Sequence, residues 1–331
     1  MDALCFGGHM LRIHFTAGDL ARTRIDDGPD PLWESVLSLH QLQERRQDPT
    51  LGAWRRHVMH HGRTALRLLL PLVPARGYFP DFLTPAESAD GFEAGLDALL
   101  STPRSQLRHQ IGRLTVDRPV GPWLRSVAEG TAPALQRLGE ALCEYRHHAF
   151  GTSWLRIRAR VDADRARRTR AQWCDGTDAM LRTFEPSMCW RPPVLEADYP
   201  VDHDIHLEGR GLLLIPSYFC RHRPVALADP SLPPTLVYPA SPVGPGRTSP
   251  TAMPGSQLAR LLGHTRAAVL ESLDADRTTS ELARLTGVSL SSASEHAAVL
   301  RGAGLISSSR RRNCVYHRLT PMGLALLDGR R

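Results

Sequence analysis

The feature that most constrains the fold is a segment rich in proline and glycine, residues 239–255, in a chain of 331 residues. Proline removes a backbone donor and glycine adopts many conformations, so such a segment cannot continue a helix or a central strand. Loops of this length are uncommon inside a compact domain. We therefore predict that 239–255 is a linker between an amino-terminal domain at 1–238 and a carboxy-terminal domain at 256–331.

The amino-terminal domain is predicted to be mainly helical with small sheets, which is the α+β class. Segment 11–15 alternates apolar and polar residues, a pattern typical of a strand. Apolar residues then recur at helical spacing. The predicted helices are 30–46, 53–70, 85–100, 103–114, 122–128, 133–150, 154–173 and 175–184. After Pro186, short apolar runs separated by prolines predict strands at 194–196, 204–208, 212–216 and 235–238.

The composition is typical of a globular protein, with 42% hydrophobic and 23% charged residues. No stretch of about 18 apolar residues occurs, so we expect no membrane-spanning helix. The first ten residues lack the basic and apolar segments of a secretory signal. The six cysteines form no CxxC pair, which argues against a zinc ribbon or a disulfide scaffold. We therefore expect a cytoplasmic protein with no membrane partner.

Positive charge is concentrated at the carboxy-terminal end. All 41 basic residues are arginines, and the whole chain carries a net charge of +7. Residues 256–331 contain 11 arginines and 6 acidic residues, whereas 1–255 is nearly balanced, with 30 arginines and 28 acidic residues. DNA-binding proteins concentrate basic residues in one domain. The charge distribution therefore favours a nucleic-acid-binding domain at 256–331.

The order of predicted elements after the linker is that of a winged helix. A helix at 258–273 is followed by two shorter helices, 279–286 and 289–301, which the tight turn at Gly287 separates. Two strands, 305–309 and 314–319, follow, and a last helix begins at Thr320–Pro321. In the first three helices the residues predicted to be buried are Leu258, Leu261, Leu262, Ala268, Val269, Leu273, Leu282, Ala283, Leu285, Ala293, Ala297, Val299 and Leu300.

Two short helices joined by a glycine turn form a helix-turn-helix, whose second helix enters the major groove of double-stranded DNA. Polar residues early in that helix are expected to face base edges, and an arginine-rich hairpin tip is expected to contact phosphates or a minor groove. The helix candidates are Ser289, Ser291, Ser292, Ser294, Glu295 and His296. The hairpin candidates are Arg310, Arg311 and Arg312.

About 70 residues resemble the ArsR/SmtB-type winged-helix transcriptional regulators. The matching residues are Ser280–Ala283, Gly287–Ser289, Ser294–His296, Leu300, Ala303–Ile306, Tyr316 and Leu319–Pro321. The resemblance implies a homodimer that binds a roughly palindromic operator, most often as a repressor that an effector releases. Leu290, Glu295 and Ala297 depart from the residues usual in that family, so the base preference does not carry over.

The whole chain also resembles a group of long bacterial regulators in which an uncharacterised helical region of about 240 residues precedes this type of domain. The matching stretches are His14–Ala21, Gly28–Glu34 and Gly211–Ser217. Such proteins usually begin at Met-Leu-Arg-Ile, which makes Met10 an alternative first residue. No known ligand accompanies this resemblance.

Neither metal site familiar in the ArsR/SmtB-type family is present in the sequence. One uses cysteines on the first helix of the helix-turn-helix, but 276–283 contains no Cys or His. The other uses Asp and His on the last helix, where 320–331 offers only Asp328. Three histidine groups elsewhere are expected to be solvated or to cap helices rather than to bind metal. They are His57 with His61, Glu144 with His147 and His148, and His203 with His206.

No catalytic or cofactor-binding motif occurs, because GxSxG, GxxxxGK[ST], HExxH and GxGxxG are all missing. We therefore predict no enzyme activity, no catalytic residue and no cofactor. Six aromatic residues are candidates either for the core or for an apolar pocket that binds a small molecule, with the core favoured. They are Trp33, Trp154, Trp173, Trp190, Tyr218 and Phe219. The arginines of 156–170 are interpreted as a solvated helix face rather than as a second nucleic-acid contact.

These observations predict a homodimeric, sequence-specific transcriptional regulator, a repressor that binds a double-stranded DNA operator. In this interpretation the amino-terminal domain dimerises the protein or senses a small-molecule effector. Two alternatives stay open. In the first, the winged helix is a protein-interaction module. In the second, the amino-terminal domain is an enzyme-like domain fused to a DNA-binding domain.

Overall fold

The structure is a computed structural model. It describes residues 9–44, 49–75, 77–114, 121–151, 153–221, 223–240, 261–273, 277–311 and 314–328. Contacts between Cα atoms group the described residues into two compact units. The first unit lies within 9–151 and 161–240, and the second lies within 153–160 and 261–328. Most of the predicted linker at 239–255 lies outside the described residues, so its boundaries stay predictions.

Helices make up most of the first unit. They are α1 (Ala17–Arg22), α2 (Pro31–Gln43), α3 (Gly52–His61), α4 (Arg63–Leu69), α5 (Phe92–Leu100), α6 (Arg104–Leu114), α7 (Pro122–Ala128), α8 (Ala132–Phe150) and α9 (Trp154–Arg182), of which residues 154–160 belong to the second unit. Short 3-10 turns lie at Pro49–Leu51, Asp81–Leu83 and Ala86–Asp90. The helix predicted at 53–70 is two helices that meet at Gly62, and α9 continues across a break at Gly176, where φ is +85°.

The strands of the first unit are β1 (Met10–His14), β2 (Arg24–Ile25), β3 (Met188–Arg191), β4 (Val194–Asp198), β5 (His203–His206), β6 (Leu213–Ser217), β7 (Val225–Ala226) and β8 (Thr235–Pro239). They form two four-stranded sheets, in the orders β3-β4-β1-β5 and β2-β6-β8-β7. In the first sheet β1 is antiparallel to β4 and parallel to β5. In the second, β6 is parallel to both β2 and β8. The predicted mainly helical α+β fold with small sheets is confirmed.

A buried carboxylate ties α2 to the end of β6. Glu34 is fully buried, and its Oε1 accepts a hydrogen bond of 2.7 Å from the Tyr218 backbone N–H. Its Oε2 accepts from the Phe219 N–H and from the Ser217 hydroxyl. Burial raises the pKa of Glu34 to about 7, although all three donors favour the ionised form. One side chain therefore accepts hydrogen bonds from the two backbone N–H groups that directly follow strand β6.

The interpretation of 156–170 as a solvated arginine face is wrong at one position. Arg168 is 1% exposed, and its Nε donates to Asp164 Oδ2 over 2.8 Å. Its guanidinium also stacks on the Phe184 ring, 3.8 Å from the centroid. The remaining arginines of this run are exposed or half-buried. Position 168 therefore belongs to the core, because the helix turns that residue inward.

The aromatic residues singled out as core or pocket candidates divide into two groups. Trp33, Trp190, Tyr218 and Phe219 are buried, in agreement with the core interpretation. Trp154 is half-buried, while Trp173 is 90% exposed and therefore lies outside the core. Of the buried four, Trp33 also lines a cavity. No helix among the described residues is long and apolar enough to cross a membrane.

The second unit contains α10 (His264–Glu271), β9 (Arg277–Thr278), α11 (Thr279–Thr286), α12 (Leu290–Gly302), β10 (Ile306–Arg311), β11 (Cys314–Leu319) and α13 (Pro321–Asp328). Its three strands pair in the order β10-β11-β9, and all pairs are antiparallel. The predicted residues that form its core are Leu273, Leu282, Ala283, Ala293, Ala297, Leu300 and Val269. In the described part of this unit, the helices α10 to α13 therefore pack around a small sheet.

Four expectations for this unit are corrected. The helix predicted at 258–273 is broken at Gly263, where φ is +84°, and Leu261 before the break is exposed. Leu285 and Val299, predicted to be buried, are 46% and 45% exposed, because they face away from the core on their helices.

Candidate nucleic-acid interface

Local capping determines where the helix-turn-helix begins and turns. The Thr278 hydroxyl accepts a hydrogen bond from the Glu281 N–H, and the Glu281 carboxylate accepts from the Thr278 N–H over 2.8 Å. This reciprocal pair is a capping box, and it starts α11. Gly287 ends the helix in the left-handed conformation, with φ +67°. The N-cap of the next helix, Ser289, follows two residues after the glycine.

Helix α12 begins at a cluster of three serine hydroxyls. Ser289 is the N-cap, and its hydroxyl accepts a hydrogen bond of 3.1 Å from the Ser292 N–H. The Ser289 oxygen also lies 2.9 Å from each of the Ser291 and Ser292 hydroxyl oxygens. The start of the helix therefore presents three hydroxyls together, an arrangement suited to phosphate or base acceptors.

The structure separates the α12 candidates by exposure. Ser291, Ser294 and Glu295 are exposed, whereas Ser292 and His296 are half-buried. Leu290, before them, is 56% exposed. Ser291 and Glu295 lie opposite the buried Ala293 and Ala297, and the other candidates lie at the sides of the helix, as the helical period requires. The residues predicted to face base edges therefore lie on one helix, and Ser292 contacts the N-cap residue Ser289.

The hairpin is longer than the sequence predicted. Strand β10 continues through Arg310 and Arg311, which pair with Val315 and Cys314 of β11. These two arginines therefore belong to a strand and not to the turn, because their backbone groups complete the ladder. The Arg310 side chain is exposed. Residues 312–313, which include the candidate Arg312, lie outside the described residues.

Sequence reasoning missed two features of the second unit, a third strand and three exposed arginines. Strand β9 adds a third strand beside β11, pairing Thr278 with Tyr316. Three further arginines of this unit, Arg284, Arg301 and Arg318, are exposed. The net charge of 256–331 was the signal that such residues exist. It carried no information on their exposure, which depends on the fold.

A buried histidine joins the hairpin to α11. His317 is 3% exposed, and its Nδ1 lies 2.8 Å from the Ser308 hydroxyl oxygen. Its Nε2 lies 3.0 Å from the Thr279 hydroxyl oxygen. Burial lowers the pKa of His317 below its ordinary value of 6.5, and the Arg301 guanidinium lowers it further. A neutral imidazole therefore links the base of the wing to the first helix of the motif.

The position of His317 predicts that the wing loosens in acid. The unfolded chain takes up a proton near pH 6.5, while the folded state resists protonation, so the stabilisation is complete above pH 6.5 and is lost as the pH falls below it. Amide hydrogen exchange of 306–319, corrected for intrinsic rates, is expected to accelerate between about pH 7.5 and about pH 5.5. The His317→Gln variant, which cannot be protonated, serves as the control. Equal acceleration in both proteins would contradict the assignment.

Three histidines of the first unit, His57, His61 and His148, lie close together. The ring centroids of His57 and His61 are 4.4 Å apart, and His148 lies 6.1 Å from His61. His203 and His206 both lie on β5, but His206 stacks on His14 while His203 stacks on Tyr199. Within the part of the chain that the structure describes, no three His, Cys, Asp or Glu residues are arranged to hold a metal ion.

Comparison with known proteins gives one finding, and it falls on the second unit. Residues 265–308 match the model of the family described as "Bacterial regulatory protein, arsR family". No curated protein and no solved structure matches the chain. The match covers the segment from α10 to the first half of β10, which is the helix-turn-helix described above. The carboxy-terminal part of this chain is therefore an ArsR-family helix-turn-helix domain, the DNA-binding part of a transcription regulator.

Proposed function

We propose that this protein is a sequence-specific repressor that binds a double-stranded DNA operator as a homodimer. The observation that carries the proposal is the surface of α12, where exposed polar residues follow the tight turn at Gly287. Helix α12 enters the major groove, with Ser291, Ser294 and Glu295 facing base edges. The β10–β11 hairpin lies along the phosphate backbone through its arginines.

Dimerisation and effector control are further parts of the proposal. Leu261 and Met322 in the second unit are 69% and 62% exposed, and exposed large apolar residues favour a protein contact. A two-fold dimer places its α12 helices about 34 Å apart, one turn of DNA. The first unit binds a small-molecule effector that changes this separation. The protein acts in the cytoplasm and catalyses no reaction.

The proposal is tested by selecting genomic DNA fragments with the purified full chain and sequencing those retained. The expected result is enrichment of a short palindromic site, whose affinity falls linearly on a plot of log K against log salt. A competitor duplex with the same composition but a scrambled site is the control. Retention of all fragments alike would contradict sequence-specific regulation.

One observation favours a second candidate function, a winged helix that binds another protein. Leu290 and Val299 are exposed on α12, and apolar residues on the outer face of a recognition helix suit a protein groove better than a base edge. The same selection separates the two functions, because a protein-binding module enriches no DNA site.

A further inference from the structure

A cavity of about 520 Å³ lies inside the first unit. Its walls come from α2, from the segment 81–89, from the end of α5 and from β6, and the loop before β8 closes one side. Trp33, Phe82 and Ile215 are buried apolar residues of this wall. The volume lies within the usual range of small-molecule sites, which are mostly apolar with a few polar groups.

The charged residues of the cavity are predominantly acidic. Asp26, Asp30, Asp81 and Glu87 line it, and Arg24 is the basic residue among the lining residues. Glu87 and Arg24 are exposed, whereas Asp30 and Asp81 are each 4% exposed. The cavity therefore has a negative interior in a protein whose net charge is +7. Such a site disfavours anions and attracts cations.

One of the two buried carboxylates has all the partners that it needs. Asp30 is the N-cap of α2, and its Oδ1 accepts hydrogen bonds of 2.9 Å from the Leu32 and Trp33 N–H groups. Its Oδ2 accepts from the Ser88 hydroxyl. These contacts give Asp30 a structural role, because they satisfy donors at the start of a helix. Asp30 therefore leaves little capacity for a ligand.

The other buried carboxylate is only half satisfied. Asp81 Oδ1 accepts a hydrogen bond of 3.3 Å from the Ala228 N–H. Its Oδ2 atom is buried and has no hydrogen-bond partner among the described residues. Burial raises the pKa of Asp81, which is the direction expected for a carboxylate that lacks donors. A buried, unpartnered carboxylate oxygen costs free energy that a donor from a ligand would recover.

We propose that this cavity binds an organic cation with an apolar body, whose ammonium group donates a hydrogen bond to Asp81 Oδ2. The apolar body packs against Phe82 and Ile215, and an aromatic wall such as Trp33 also attracts a cation. A metal ion fits less well, because no group of three suitable ligands exists among the described residues. The inference rests on the proposed effector role of the first unit and names the class of ligand, and its test needs no DNA.

Calorimetry with three ligands of one shape tests the proposal on the full chain. Tryptamine carries an ammonium group, tryptophol carries a hydroxyl in its place, and indole-3-propionate carries a carboxylate. Tryptamine is expected to bind at least about tenfold more tightly than tryptophol, because a hydrogen bond to a charged group contributes more than a neutral one. Indole-3-propionate is expected not to bind, because the cavity is acidic.

The Asp81→Asn variant is expected to lose the preference for tryptamine over tryptophol. Asparagine has the same shape as aspartate and removes the buried negative charge of Asp81, so we expect the variant to fold. Circular dichroism checks that it does. Asp97→Asn is the matched control, because Asp97 is exposed and does not line the cavity. Equal binding of tryptamine and tryptophol, or an unchanged preference in Asp81→Asn, would overturn the proposal, as would no binding of tryptamine up to about 10 mM. Each of these results leaves the DNA-binding proposal untouched.

Discussion

Replacing Arg310 and Arg311 together with alanine is expected to weaken binding to every DNA sequence by about 50-fold at about 0.1 M salt. Each phosphate contact contributes about 0.9 to the slope of log K against log salt, so losing two contacts lowers the slope by about 1.8. The difference in DNA affinity between the variant and the natural chain should become smaller as the salt concentration increases. Fluorescence anisotropy with one operator and one scrambled duplex across a salt series measures both quantities.

A second double variant controls for the loss of net charge. Arg56 and Arg63 are exposed residues of α3 and α4 in the first unit, and their replacement with alanine removes the same two charges. This control is expected to change affinity little, because Arg56 and Arg63 belong to the first unit and not to the helix-turn-helix domain. If both double variants weakened binding equally, or if the slope stayed unchanged for Arg310 and Arg311, the hairpin would not contact phosphates.

The helix-turn-helix could be predicted from sequence because its boundaries depend on neighbouring residues. Thr278 and Glu281 form the capping box, Gly287 takes the left-handed conformation, and Ser289 caps the next helix. Each interaction spans no more than a few residues, so the sequence alone contains both partners. Helix α11 accordingly begins and ends at the predicted residues, 279 and 286.

Other features could not be predicted because their partners are distant in the sequence. Strand β1 pairs with β4 and β5, at least 180 residues later. The two-residue strands β2, β7 and β9 are too short to show an alternating pattern. The cavity was also missed, although Trp33 had been singled out, because its walls come from segments between Arg24 and Thr235. The spacing of residues along the sequence does not show that these distant segments come together around one cavity.

Arg168 illustrates the same limit at a single residue. Arginine is rarely fully buried, and seven arginines lie between 156 and 170, so a solvated face was the natural interpretation. The ring of Phe184 and the Thr183 hydroxyl, which contact Arg168, come from the chain after α9. Asp164, one turn earlier on α9, is also fully buried. The sequence showed the i, i+4 pair but not the surroundings that exclude water from it.

The Arg168→Ala variant is expected to lower the free energy of unfolding of the first unit by about 4 kcal/mol. Two hydrogen bonds, of 2.8 and 3.1 Å, join the guanidinium to Asp164, and a third joins it to Thr183. Removing the arginine takes these donors from a buried carboxylate that keeps a hydrogen bond of 2.6 Å from Arg167. Breaking a buried ion pair costs more free energy than the pair contributes. Urea unfolding followed by tryptophan fluorescence measures the change, because five of the six tryptophans, all except Trp154, lie in the first unit.

Two further variants separate charge from geometry. Arg168→Lys keeps the positive charge but cannot make the paired hydrogen bonds or the flat contact with Phe184, so an intermediate loss of about 2 kcal/mol is expected. Arg170→Ala removes an exposed arginine from the same helix and is expected to change stability by less than about 0.5 kcal/mol. If Arg168→Ala were no more destabilising than Arg170→Ala, Asp164 would retain enough other partners to hold its charge. The buried pair would then be replaceable, as ion pairs in protein interiors often are by apolar residues of similar volume.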